Sequence, residues 1–187
     1  MKHTLIIENT RAWLEHFIIA ENLCPFAHKE FARETIRYAV LESDDENEIY
    51  DQIVSELSYL DKHKDVQTTL LIWPELDTFE VFLSFVGMAE MMIRSHGLEA
   101  AYQLAHFHPQ YVFSGVAIDA AENYTNRSPY PILHILRVEE MAKALERYKN
   151  PEMIPENNIA RMNKIGSAEL EAKLRSWQGK SDIKTKP

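Results

Sequence analysis

One cysteine, Cys24, stands in the whole chain of 187 residues. An intramolecular disulfide is therefore impossible and a four-thiolate zinc site is excluded, which fits a reducing compartment. Basic residues are also scarce: 20 Lys and Arg against 29 Asp and Glu leave a formal charge of -9. A polyanion is bound by clustered cations, and the chain has no basic stripe, so no nucleic-acid partner is expected. Much of the acid falls between Glu42 and Asp65; it reads as a solvated helix face, with an acidic patch for a partner as the alternative. Long apolar runs are missing as well. The opening MKHTLIIENTRAW returns to charge after Leu5-Ile6-Ile7, and nowhere do roughly eighteen apolar residues follow one another, so neither a secretory segment nor a membrane span is expected. The expected location is the cytoplasm. No internal repeat or low-complexity stretch is visible, so nothing points to a solenoid.

What the chain does contain is a globular composition, 45% hydrophobic and 26% charged, in a length suited to one domain with its own core. A single α/β domain is expected over 1–178 and a disordered tail over 179–187. Ile6, Trp13, Leu14, Phe17 and Ile18 recur at helical spacing from Leu5 to Glu21, an amphipathic first helix that Pro25 ends or bends at Cys24. Strands are expected at Ile36–Leu41, Thr68–Trp73 and Ala100–Phe107, the last two stopped by Pro74 and Pro109. Helices separate them at Glu46–Lys62 and Thr78–His96, the second opening on a capping-box pair, Asp77 and Glu80, and closing at Gly97. Two βαβ crossovers follow from this order, and with them a short, mainly parallel sheet of three or four strands. Tyr111–Val116 is the candidate fourth strand, antiparallel to the third. After it the chain reads as helical: Pro129–Tyr148, capped by Ser128, then Pro155–Ile165 and Ser167–Trp177.

Open parallel sheets bind ligands beyond the carboxyl ends of their strands. There the third strand ends in His106-Phe107-His108, whose two imidazoles share a strand face and would either cap the strand end by hydrogen bonding or pair on a metal. On a helix beginning at Pro129, Tyr130, His134 and Arg137 fall on one face. Asn126, Arg127 and Ser128 sit just ahead of it. Two arginines near a helix start match a carboxylate or phosphate, unless acidic neighbours take them first. Cys24, beside Asn22 at the helix break, is either a small buried hydrophobe or a nucleophile.

The segments NLCPFA (22–27), TTLLIWP (68–74), FHPQYVFSG (107–115) and NYTNRSPYPILHILR (123–137) resemble a bacterial protein family known as domain of unknown function 1415. The resemblance runs to about Gly166 and implies that Cys24, His108, Arg127, His134 and Arg137 are signature positions. A histidine at position 106 stands outside that pattern, which weighs against a metal held by a His106–His108 pair. No activity or cofactor is implied. The leading expectation is a small-molecule enzyme: Cys24, His108 and His134 would be catalytic, while Asn22, Asn126, Arg127, Ser128, Tyr130 and Arg137 would bind an anionic metabolite. The alternatives are a non-catalytic binder of such an anion and a metalloprotein using His106, His108 and His134.

Overall fold

A computed structural model describes residues 2–146 and 148–178, so the expected tail at 179–187 lies outside the described residues. Helix α1 (Lys2–Trp13) continues as a π-helical turn over Leu14–Ile19, and α2 (Ala27–Ala32) follows the Cys24-Pro25 break. Then β1 (Ile36–Val40), α3 (Glu46–Lys62), β2 (Thr68–Ile72), α4 (Phe79–Ser95) and β3 (Tyr102–Phe107) alternate. A long loop containing a 3-10 turn (Ala121–Thr125) leads to β4 (Ile132–Arg137). Helices α5 (Val138–Leu145), α6 (Ile154–Ile165) and α7 (Ser167–Trp177) complete the order. No helix among the described residues is long and apolar enough to cross a membrane.

The α/β reading holds, with β1 paired parallel to β2. Local signals account for the crossover helices. Asp45 caps α3 by accepting from Asn47 N and Glu48 N, and at the end of α4 Gly97 takes φ +65 while Leu98 N closes on Ile93 O at 2.9 Å. The capping box expected at Asp77–Glu80 does not form, because Thr78 is the N-cap and makes no side-chain cap bond.

Two expectations fail on the fourth strand. Tyr111–Val116 is loop, and residues 132–137, expected to be helical, are a strand. The sheet order is β1-β2-β4-β3, with β4 antiparallel to both neighbours. Three strands thus run one way, and the fourth fills the gap that the second crossover leaves between β2 and β3. The reason is local as well as tertiary. Residues before proline are driven from helical to extended backbone, so Ser128-Pro129-Tyr130-Pro131 delivers the chain extended. The apolar run that follows then pairs with two open strand edges, Ile132 against both Ile72 and Phe107.

Both sheet faces are covered, and β2 is buried along its length, as a strand between two helical layers must be. On one face α3 and α4 pack Ile49, Ile53, Leu60, Phe82 and Ala89 against Leu71, Trp73, Leu133 and Ile135. On the other, α1, the π turn, α6 and α7 pack Ile6, Trp13, Phe17, Met162 and Leu170 against Leu70, Ile72 and Ile132. The alternation of β4 therefore decides which side of the molecule each of its side chains serves.

Candidate functional site

His134 and Arg137, expected on one helix face, belong to opposite faces of β4, since strand residues three apart point apart. Arg137 lies among the carbonyls at the end of α3. Its Nε donates to Val66 O at 3.1 Å and its Nη2 to Leu60 O at 2.5 Å, Val66 O at 3.0 Å and His63 O at 3.2 Å. A guanidinium at a helix C-terminus satisfies orphan acceptors and faces the negative end of the helix dipole. Arg127 is likewise engaged: Nε donates to Tyr111 O at 3.1 Å, Nη2 to Ile118 O at 2.7 Å, and the group lies 4.5 Å from the Tyr124 ring centroid. It staples the loop ahead of β4. The two arginines do not converge, and there is no helix start at Pro129 for them to flank.

His108 is sealed. Nε2 donates to Leu76 O at 3.1 Å and Nδ1 accepts from Gln110 N at 3.0 Å, and its ring packs between Phe79 and Phe82. Burial holds its pKa below the usual imidazole value. As strand spacing predicts, His106 shares this face, stacked on Tyr111, and its Nδ1 has no partner among the described residues. Among the described residues no group of three His, Cys, Asp or Glu could hold a metal. The other side chains expected to bind an anion also serve the loop and its neighbours. Asn126 donates to His106 O at 3.2 Å, Ser128 Oγ to Tyr130 O at 2.5 Å, and Tyr130 Oη accepts from Asn9 at 2.9 Å. Asn22 turns the chain at φ 54 with its N–H on Ile19 O.

Cys24 and His134 are the catalytic candidates that the fold does bring together. Both line a cavity of about 130 Å3 on the α1 side of the sheet. Its floor is Ile36, Thr68, Leu70, His134 and Leu136; Trp13, Leu14 and Ile18 of the first helix form one wall, α2 and α5 roof it with Ala27, Lys29, Glu140, Met141 and Ala144, and Glu30 and Arg137 also contribute to the lining. Ile36 and Thr68 begin β1 and β2, so this cavity lies at the amino ends of the parallel strands, opposite to expectation. The loop stapled by His108 and Arg127 occupies the carboxyl ends instead. The π turn ends the first helix at Ile19, and the turn at Asn22 then carries Cys24 to the cavity wall. Such turns recur at functional sites.

The two catalytic candidates in this cavity, His134 and Cys24, are uncharged. Thr68 Oγ1 donates to Ile135 O at 2.6 Å, which uses its single proton, so its 2.6 Å contact to His134 Nε2 requires the imidazole to donate. Nδ1 then carries the lone pair, and no protein group among the described residues hydrogen-bonds to it. Burial lowers the His134 pKa to about 4, so the ring is uncharged at neutral pH. Burial also raises the Cys24 pKa, against a smaller opposite pull from the backbone N–H groups of Phe26 and Ala27; the thiol stays protonated. Two more polar groups on lining residues lack partners among the described residues: the buried Trp13 Nε1 and the buried Gln67 Oε1. No sequence signal places Trp13, Gln67, Thr68 or Leu136 at a site. Trp13 carries no motif, and Thr68 gains its role only through the β2–β4 register, which sets it opposite Leu136.

A second hollow, about 520 Å3, adjoins the first. Ile18, Cys24 and Phe107 line both, and α6 contributes Ile154, Pro155, Asn158 and Ile159 to the second alone.

A family model described as "protein of unknown function (DUF1415)" matches residues 5–172. No curated protein and no solved structure matches the chain.

Proposed function

We propose that this chain, which belongs to the protein family of unknown function DUF1415, binds a small, mainly apolar, uncharged molecule in the cavity beneath α2 and α5. The observation that carries this reading is the free lone pair of His134 Nδ1 on an otherwise largely apolar floor, its tautomer held by Thr68. Apolar walls supply affinity, and one fixed acceptor selects a ligand that donates a hydrogen bond. The roof supports the same reading. None of the residues of α5 is buried although Met141 and Ala144 face the cavity, so a ligand would complete the packing of that helix. An anion is disfavoured, because the two cations in the lining are already engaged, Arg137 with backbone carbonyls and Lys29 with Glu30, and Arg127 is tied to the carbonyls of the loop.

Phenol, anisole and benzoate separate the possibilities. Phenol should shift the His134 ring nitrogen resonances and raise the melting temperature, and anisole, which lacks the donor, should bind several-fold more weakly. Ala144→Trp, which fills the roof, should abolish both. Preference for benzoate, or phenol binding indifferent to Ala144→Trp, would refute the reading.

A thiol enzyme acting on an anionic metabolite is the second reading. It is favoured by Cys24 and His134 lining one cavity and by the two backbone N–H groups that act on the sulfur. It requires turnover that disappears in Cys24→Ala while ligand affinity is kept.

A further inference from the structure

We infer that the second hollow is a distinct site for an organic ammonium ion, a class that the first cavity does not suit because its two carboxylates, Glu30 and Glu140, are already paired with Lys29 and Lys143. Its position is one that α/β folds favour for ligands: Ala105 and Phe107 are at the carboxyl end of β3, and the loop bearing Phe113, Val116, Thr125 and Asn126 closes over it from that end. Its charge is of one sign. Among the described residues Glu122 is the only ionisable side chain in the lining apart from the protonated Cys24, and no Lys, Arg or His joins it. Among the described residues Glu122 forms no ion pair, although cations elsewhere on this face are used, with Arg161 and Lys173 both pairing to Glu21. Partly buried carboxylates with apolar surroundings favour a cation that sheds its water easily, which an alkylated ammonium does and a metal ion does not. Two aromatic rings, Phe107 and Phe113, line the same space and add the quadrupole attraction that such cations receive. The remaining walls, Ile18, Leu23, Ile154 and Ile159, suit the hydrocarbon part of the ligand.

The test uses the full chain and benzyltrimethylammonium, with 3-phenylpropanol and 3-phenylpropionate as neutral and anionic counterparts of similar size, followed by calorimetry and by backbone NMR shifts at Ala105, Thr125 and Asn158. The cation should bind, move those resonances, and weaken with added salt. Glu122→Gln should reduce its affinity about tenfold, on the order expected for a partly screened charge pair, and should leave 3-phenylpropanol unaffected. Phe113→Leu should reduce it by a few-fold. Ala144→Trp, which blocks the first cavity, should leave cation binding intact, so failure of the phenol experiment and failure of this one are separate results. Equal binding of all three probes, binding of the cation indifferent to Glu122→Gln, or no shift at the three reporter residues would each overturn the inference.

Discussion

Replacing Arg137 with methionine separates a structural arginine from a ligand-binding one. Methionine keeps most of the aliphatic length and removes a guanidinium that serves three carbonyls, those of Leu60, His63 and Val66. Each hydrogen bond from a charged donor is worth about 1.5–3 kcal/mol net, and a buried acceptor left without a partner costs about 1–3 kcal/mol. The contributions share one fork and are not additive, and Arg137 is half-buried, so water reaches part of the vacated space. The loss should come to about 3–5 kcal/mol. For a chain of this length that corresponds to a fall in melting temperature of about 6–20 °C. Urea unfolding should show a lower midpoint with an unchanged slope, because the folded surface is the same. Arg137→Lys should recover only the attraction to the end of α3, since an ammonium cannot reach three carbonyls as a planar fork does. A methionine variant within about 1 kcal/mol of the parent, or one that keeps its stability and loses a carboxylate ligand, would refute this account of the residue.

Two further outcomes follow from buried groups. His134 is held at about 4, below its ordinary 6.5. Above pH 6.5 neither the folded nor the unfolded chain carries that proton and the contribution of the neutral ring is complete. As pH falls toward 4 the unfolded chain takes up a proton that the folded one refuses, so stability should drop by about 3 kcal/mol across that window. The difference between the parent and His134→Gln in stability-against-pH curves isolates this share from His106, His108 and the carboxylates; parallel curves would contradict it. Glu56, 4% exposed, holds Arg37 through Nε at 2.6 Å and Nη2 at 2.8 Å. Glu56→Ala should cost about 2–3 kcal/mol in urea unfolding, less than a fully sealed pair because the Arg37 side chain is one-third exposed. An unchanged midpoint would mean the pair adds nothing beyond a surface bridge.

Much of the fold was legible because it depends on neighbours within a turn or two. The stripe Ile49, Ile53, Leu57 and Leu60 buries one face of α3, Gly97 closes α4, and the uninterrupted TTLLI became a strand buried throughout. The misreading of residues 132–137 shows the limit of that logic. Tyr130, His134 and Arg137 fit a helical period, while Ile132, His134 and Leu136 fit an alternating one, and a short apolar run satisfies both. The open edges of β2 and β3 resolved the ambiguity, and with it which side of the molecule His134 and Arg137 face.

Of the candidate site, residue types were readable and partners were not. Sequence marked Cys24 as a residue presented at a helix break and His134 as a member of one helix face with Tyr130 and Arg137; the helix is a strand, yet both residues line the first cavity. It could not mark Arg127 and Arg137 as already spoken for: the carbonyls that hold Arg137 lie 71 to 77 residues upstream. Periodicity, capping and proline act locally and are written in adjacent residues, so they determined the helices, the crossovers and the break at Cys24. Which donor meets which acceptor across the sheet is set only when distant segments pack, and that packing alone made one histidine a sealed strut and left the other with a free lone pair.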